Sequence, residues 1–223
     1  MTTGGIKMSE LVMDSAFFGH VLQDMGALIE KERDYLTGLD SDIGDGDHGI
    51  NLSIGFREVN KQLDELLTAS PDIATLLKKS GMILLGKVGG ASGPLYGSFF
   101  MKCGADVPGK TEVNFDELCG MIINGAAAVQ HRGKAELGDK TMMDAFLPGV
   151  EVLQNRDTNA APIETFSAFV DAMHAGAQST IPLIAKKGRA LRLGERAIGH
   201  LDPGSESSWM LMNVILENLK KAV

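Results

Sequence analysis

The sequence predicts an all-α fold of about eight helices joined by glycine-rich links. Apolar residues recur at three- and four-residue spacing over most of the chain, and prolines recur where helices would start. Runs of alternating apolar and polar residues are scarce, and hairpin turns between β-branched clusters are absent.

Taken in order, Leu11, Val12, Phe18, Val21, Leu22, Met25, Leu28 and Ile29 predict a long amphipathic helix over roughly Ser9–Leu36. Asp47 precedes a second helix, carried by Leu52, Phe56, Val59, Leu63 and Leu66 to about Ala69. Further helices are predicted near Asp72–Leu85, Pro94–Cys103, Asn114–Gln130, Met142–Gln154, Pro162–Ser179 and Pro203–Ala222. Pro71, Pro94, Pro162 and Pro203 all stand at or just before a first turn, where a missing N–H is harmless.

The chain has 223 residues, 44% hydrophobic and 22% charged, the composition of a globular protein with a sizeable core. Residues 1–8 read as a flexible N-terminal tail and residues 9–223 as a single domain. No apolar run is long enough for a membrane helix, and the N-terminus lacks the apolar stretch of a signal peptide. Cys103 and Cys119 have no metal-ligand spacing, which favours a reducing, cytoplasmic setting. A formal charge of −8 argues against nucleic acid as a partner and is compatible with acids that hold divalent cations.

The chemistry concentrates in the stretch DSDIGDGDHGIN, Asp40–Asn51. Its letters match G-x-G-x-x-G, but a dinucleotide fold requires a preceding strand and bare backbone beside the pyrophosphate. Here the preceding segment is helix-like, and Asp45 and Asp47 would repel a diphosphate unless a cation intervened. An EF-hand fails on its register: counted from Asp40, the sixth residue is Asp45 rather than glycine and the twelfth is Asn51 rather than glutamate. Two readings stay open. One is an acidic turn that ends with Asp47 capping a helix; the other is a hard-cation site for Mg²⁺ or Ca²⁺, through which a polyphosphate could be held.

Three other glycine-rich loops fit the second reading. In GGASGPLYG, Ser92 and Gly93 precede Pro94 at a helix start and can receive phosphate oxygens. In GDKTM, Thr141 and Met142 suit a ribose and a base. Arg189 and Arg196, in the segment Lys186–Ser205, are candidates for phosphate contact.

Together, LDSDIGDGDHGIN, GGASGPLYG, RGKAELGDKTMMD and GRALRLGERAIGHLDPG, in this order, closely resemble the nucleotide-binding L subunit of dihydroxyacetone kinase, from about Leu39 to the C-terminal helix. The resemblance implies an antiparallel barrel of eight helices with the nucleotide site formed by loops at one end. It implies Asp40, Asp45 and Asp47 as ligands of a pair of Mg²⁺ ions on the phosphates of ADP or ATP. By the same resemblance His48, Gly49, Ile50 and Asn51 would line the nucleotide, Ser92 and Gly93 would bind phosphate, and Gly133, Thr141 and Met142 would lie near base and ribose. Arg189, Asp202, Pro203 and Gly204 would close the pocket, with Arg189 counted among the catalytic residues.

The implied reaction is phosphoryl transfer to dihydroxyacetone, or another small ketose, held on a separate K subunit. A phosphotransferase-system M subunit is the implied phosphoryl donor, ATP the alternative, and a homodimer is open. An ATP-dependent subunit for another ketose, a nucleotide-binding regulatory module and a non-catalytic Ca²⁺-binding protein are the rivals. A fatty-acid kinase component fits less well, given GDGDHGIN and the absence of its second domain. Three features depart from the family pattern: the additional acid Asp42, the pair Leu191-Arg192, and Glu206 where small residues are common.

Overall fold

The computed structural model describes residues 11–70 and 72–223. Pro71 and the expected tail at residues 1–8 lie outside the described residues. Ten α-helices are present among the described residues: α1 (Ser15–Lys31), α2 (Arg33–Ile43), α3 (His48–Lys61), α4 (Leu63–Ala69), α5 (Ile73–Lys87), α6 (Ser92–Ala105), α7 (Phe115–Gly133), α8 (Met142–Gln154), α9 (Pro162–Gln178) and α10 (Pro203–Lys221). A 3₁₀ segment spans Ala190–Ala197. Two short strands, β1 (Val12–Asp14) and β2 (Glu112–Asn114), pair antiparallel with Met13 opposite Val113.

The helices close a ring in which α1 packs on α3, α3 on α5, α5 on α6, α6 on α7, α7 on α8, α8 on α10 and α10 back on α1. Helix α9 braces α8 and α10, while α2 wedges between α3 and α10. The apolar stripes read from the sequence point inward: Phe18, Val21, Leu22, Met25 and Ile29 of α1 meet Phe99, Phe100 and Cys103 of α6 and Leu211 and Ile215 of α10 in one buried core. Burial of those side chains is the main force that holds otherwise marginal helices in place.

Local chemistry fixes where the helices begin. Asp14 caps α1 through Phe17 N–H, Asp72 caps α5 through Thr75 N–H, and Asn114 with Glu117 forms a reciprocal capping box on α7. Pro162 and Pro203 occupy first turns, as their fixed φ predicts. Pro148, by contrast, lies inside α8 and removes the N–H that would bond Asp144 O. Gly176 of α9 packs directly against that carbonyl, leaving no room for a side chain.

The all-α expectation holds, and the differences are local. The first predicted helix begins at Ser15 rather than Ser9, because Val12–Asp14 pairs with β2. It then kinks at Glu32, and the second kinks at Gln62; both residues sit near φ −95°, ψ 5°, and i→i−4 bonding continues across each (Leu36 N to Glu32 O, Leu66 N to Gln62 O). Hydrophobic periodicity passes through such kinks unchanged, so ten helices read as eight. Helix α6 starts at Ser92 instead of Pro94. More consequential, α2 continues to Ile43, which puts Asp40 and Asp42 on a helix and not in a loop.

Helices α2 and α3 approach most closely at Gly49, where any Cβ would collide with the carbonyl of Arg33. Gly49→Ala should therefore destabilise the fold by about 1–3 kcal/mol. Gly38→Ala, on the exposed face of α2 with nothing within 4 Å of the added carbon, should be neutral or stabilise by up to about 1 kcal/mol. Chemical denaturation checks both, and equal effects at the two positions would refute the close-approach account.

Candidate functional site

Asp40 lies in the last turn of α2. Its Oδ2 accepts from the backbone N–H of Asp47 at 2.9 Å and from that of His48 at 3.1 Å. Asp47 occupies the N-cap position of α3 but makes no capping bond through its own side chain. This corrects the acidic-turn expectation: Asp47 stands at the N-cap but does not cap α3 through its side chain, while Asp40 of the preceding helix satisfies the amides of Asp47 and His48. Gly44 makes room for the arrangement, since a Cβ there would collide with Asp40 Oδ1. Gly46, with φ at 71°, turns the chain between Asp45 and Asp47.

One oxygen from each of Asp40, Asp45 and Asp47 lies within 4.8 Å of the other two. Three carboxylates this close repel one another, and the guanidinium of Arg189 answers part of that charge, with Nη1 2.8 Å from Asp45 Oδ2. An all-oxygen, charge-dense donor set fits a hard cation such as Mg²⁺ or Ca²⁺. Asp42 points elsewhere, pairing with His200 Nδ1 at 3.3 Å. Its place in the motif is thereby explained as a tie between α2 and the segment before α10.

The cluster edges an open cavity of about 180 Å³. The N-terminal ends of α3, α6, α8 and α10 meet around it, so four helix dipoles present their positive ends to one space. Two of these ends are closed by their own side chains: Thr141 and Asp144 form a capping box on α8, and Asp202 caps α10 through Ser205 N–H at 2.6 Å. Helix α6 carries no side-chain cap, which leaves its first amides for an outside acceptor.

Inside the wall, His48 is 8% exposed and its ring bridges two hydroxyls, with Nε2 2.8 Å from Ser207 Oγ and Nδ1 3.2 Å from Ser92 Oγ. Burial pushes its pKa down to about 4, so the ring is neutral and serves as a strut between α3, α6 and α10. Tyr96 joins the same network through Ser207 and Ser208, and burial raises its phenol to about 12. Burial likewise lifts the carboxyl of Asp202 to about 7 and lowers the ammonium of Lys140, whose charge Asp202 and Asp144 partly sustain.

Of the residues singled out from sequence, Asp40, Asp45, Asp47, His48, Ser92, Thr141, Met142, Arg189, Asp202, Pro203 and Gly204 line the cavity. Gly49, Ile50, Asn51, Gly93 and Gly133 do not. Gly49 faces the backbone of α2, Ile50 is exposed, Asn51 abuts Gly89, Gly93 packs on the carbonyl of Val88, and Gly133 ends α7. Arg196 also lies off the wall. Sequence reasoning missed Gly89, Gly90, Tyr96, Lys140 and Lys187, all lining residues inside motifs that had been quoted. The signal available for Gly89, Gly90 and Lys140 was that they stand just before α6 or α8, whereas Tyr96 lies within α6 and Lys187 in the irregular segment before α10.

The DAK2 domain family matches residues 42–217. The chain is 99% identical over 216 residues to the PEP-dependent dihydroxyacetone kinase 2, ADP-binding subunit DhaL, of Listeria innocua, covering 97% of this chain and 100% of that protein. It is 44% identical over 191 residues to the PEP-dependent dihydroxyacetone kinase, ADP-binding subunit DhaL, of Escherichia coli, covering 85% and 90%. Among solved structures, the dihydroxyacetone kinase of C. freundii in complex with AMP-PNP and Mg²⁺ superimposes with a TM-score of 0.69 at 26% identity. That match covers 97% of this chain and 36% of the other, so this chain spans about a third of that kinase.

Two of the shifted groups on the cavity wall, His48 and Asp202, pull stability in opposite directions with pH. His48 is depressed from 6.5 to about 4, so its stabilisation is complete above pH 6.5 and is lost as pH falls towards 4. Asp202 is raised from 3.8 to about 7, so its destabilisation grows as pH rises through that window. In metal-free protein, the cost of His48→Gln should shrink from pH 6.5 to 4, while Asp202→Asn becomes progressively more favourable from pH 4 to 7. Denaturation midpoints across pH check both, and parallel curves for variants and parent would refute the assignment.

Proposed function

The chain belongs to the DAK2 domain family as a dihydroxyacetone kinase subunit, and on that premise we propose that it binds ADP or ATP with Mg²⁺ in this cavity and passes a phosphoryl group to dihydroxyacetone, or a related small ketose, on a separate K subunit. The observation that carries this reading is the pairing, across one cavity, of a three-carboxylate cluster with the uncapped N-terminus of α6. A polyphosphate needs both a cation and free amides, and either alone would be weaker support.

Asp40, Asp45 and Asp47 would hold Mg²⁺, two ions in the full reading. When bound, the metal neutralises charge on the transferring group. The protein's own share is position and exclusion. Ser92 and the amides at the start of α6 receive phosphate oxygens, and Thr141 and Met142 face ribose and base. Asp202, Pro203 and Gly204 close the far wall, and the neutral His48 strut keeps α3, α6 and α10 at fixed spacing. Arg189, paired with Asp45 at the edge of the cavity, is placed to turn to phosphate charge when nucleotide is bound. The acceptor hydroxyl's proton would be taken up on the K subunit that holds the ketose, and this chain's share would be position and electrostatics.

The PEP-dependent names of the two DhaL relatives favour recharging by a phosphorylated M subunit over direct use of ATP. In that case the nucleotide acts as a resident carrier. Residues 9–223 would form one such domain, working in the cytoplasm. No helix among the described residues is long and apolar enough to cross a membrane.

Protein purified from cells should carry adenine nucleotide and Mg²⁺, with chelation releasing both and Asp45→Ala unable to retain either. Saturating ADP with Mg²⁺ should stabilise the parent by about 2–3 kcal/mol at a hundredfold excess over Kd. Nucleotide-free protein with no ADP-dependent shift in unfolding would contradict the proposal. Phosphate transfer to a ketose only when a K subunit is supplied would exclude a purely regulatory role.

A further inference from the structure

The segment from Thr180 to His200 carries Lys187, Gly188, Arg189 and Ala190 of the cavity wall, yet it contains no α-helix. Its only regular stretch is the 3₁₀ segment, broken at Gly194. Something outside the segment must fix its ends. The structure offers one buried cation placed to do so.

Lys140 is 2% exposed and adopts φ of 60°, a left-handed conformation uncommon for a residue with a side chain. The carboxylate of Asp144 holds it there, accepting from Gly138 N–H at 2.5 Å and Thr141 N–H at 2.7 Å, on either side of Lys140. The lysine thus runs beneath the segment, where Nζ donates to Thr180 O at 2.6 Å and His200 O at 2.5 Å. These carbonyls stand at the two ends of the irregular stretch. Neighbouring bonds follow the same line: Asp202 N–H donates to Thr180 Oγ1, Gly199 N–H to Ile181 O, and Lys186 N–H to Asp139 O.

We propose that Lys140 is a positioning residue for nucleotide binding, clamping both ends of the Arg189-bearing segment through the carbonyls of Thr180 and His200 and so setting where Arg189 meets the carboxylate cluster. For its functional readout this rests on the nucleotide reading above. Two charge-assisted bonds to main-chain acceptors from one buried ammonium are strong enough to order a loop that lacks regular structure. A direct attraction of Lys140 for phosphate is the competing role, because the side chain also lines the cavity.

Hydrogen exchange and ADP affinity in the full chain separate the two. Lys140→Met should speed exchange at the amides of Lys186, Gly199 and Asp202 in nucleotide-free protein, leaving α1–α7 unchanged. With Mg²⁺ present it should weaken ADP binding by roughly 10- to 100-fold, the range for supporting residues around a bound ion. Arg189→Ala and the double variant should then bind ADP within about twofold of each other, because the clamp acts through Arg189. Lys140→Arg, which keeps the donors, should restore most of the affinity. Additive losses with unchanged exchange would overturn the proposal in favour of direct phosphate contact. If the parent fails to bind ADP, the nucleotide reading falls, and exchange alone still decides whether Lys140 clamps the segment. Should Lys140→Met not fold, Lys140→Gln is measured in the same two ways against the same outcomes.

Discussion

One carboxylate oxygen organises the functional end of this protein. By accepting the amides of Asp47 and His48, at the N-cap and first position of α3, Asp40 Oδ2 ties the C-terminus of α2 to the N-terminus of the next helix. A residue at a helix C-terminus is an unfavourable place for a negative charge, since the dipole there is already negative. Facing the positive end of α3 relieves that cost. The tie does a second thing: it satisfies the N-cap and N1 amides of α3, while the carboxylate of Asp47 makes no capping bond of its own and stays available beside Asp40 and Asp45. Gly44 and Gly49 are the steric conditions for it, one leaving space for Asp40 Oδ1 and the other letting the two helix backbones meet.

Around that tie the electrostatics are balanced between opposing fixed charges. Four helix N-termini make the cavity attractive to an anion, while three carboxylates at its edge make it repel one. Neither set alone describes a polyphosphate site. Their juxtaposition suits the metal-bound polyphosphate proposed above, and Arg189 beside Asp45 offsets part of the excess negative charge. The buried groups behind the wall are held mainly in their uncharged forms: His48 below neutrality, Tyr96 well above it, and Asp202 near it. The buried ammonium of Lys140 donates to two carbonyls and lies in the field of the Asp202 and Asp144 carboxyl groups.

Much of this was legible in the sequence because it depends on spacing. Three-and-four periodicity gave the helices, and the prolines marked several starts; the four glycine-rich loops that bear the acids and hydroxyls do border one cavity. What was not legible depends on through-space partners. Nothing local shows that Asp40 belongs to a helix and caps another seven residues later, or that Asp42 pairs with His200. His48, expected to line the nucleotide, does stand on the cavity wall, but its ring's bridge to Ser92 and Ser207 is not legible, because those partners lie 44 and 159 residues away in the chain. Lys140 stood inside a quoted motif without distinction, since its role comes from a backbone conformation and from acceptors 40 and 60 residues on. The kinks at Glu32 and Gln62 left the hydrophobic pattern intact and were invisible for that reason.

The central claim is that Asp40 joins a structural cap to a metal-facing charge in one side chain. Comparing Asp40→Asn with Asp40→Ala separates them, because an amide oxygen can still accept the two N–H bonds while carrying no charge. Calorimetric titration of ADP with Mg²⁺, run beside thermal unfolding of the ligand-free variants, is the most direct measurement. The account predicts that Asp40→Asn unfolds close to the parent and well above Asp40→Ala, yet loses about tenfold or more of its Mg²⁺-dependent ADP affinity. Parent-like Mg²⁺–ADP binding by Asp40→Asn, or unfolding of both variants at the same reduced temperature, would contradict it.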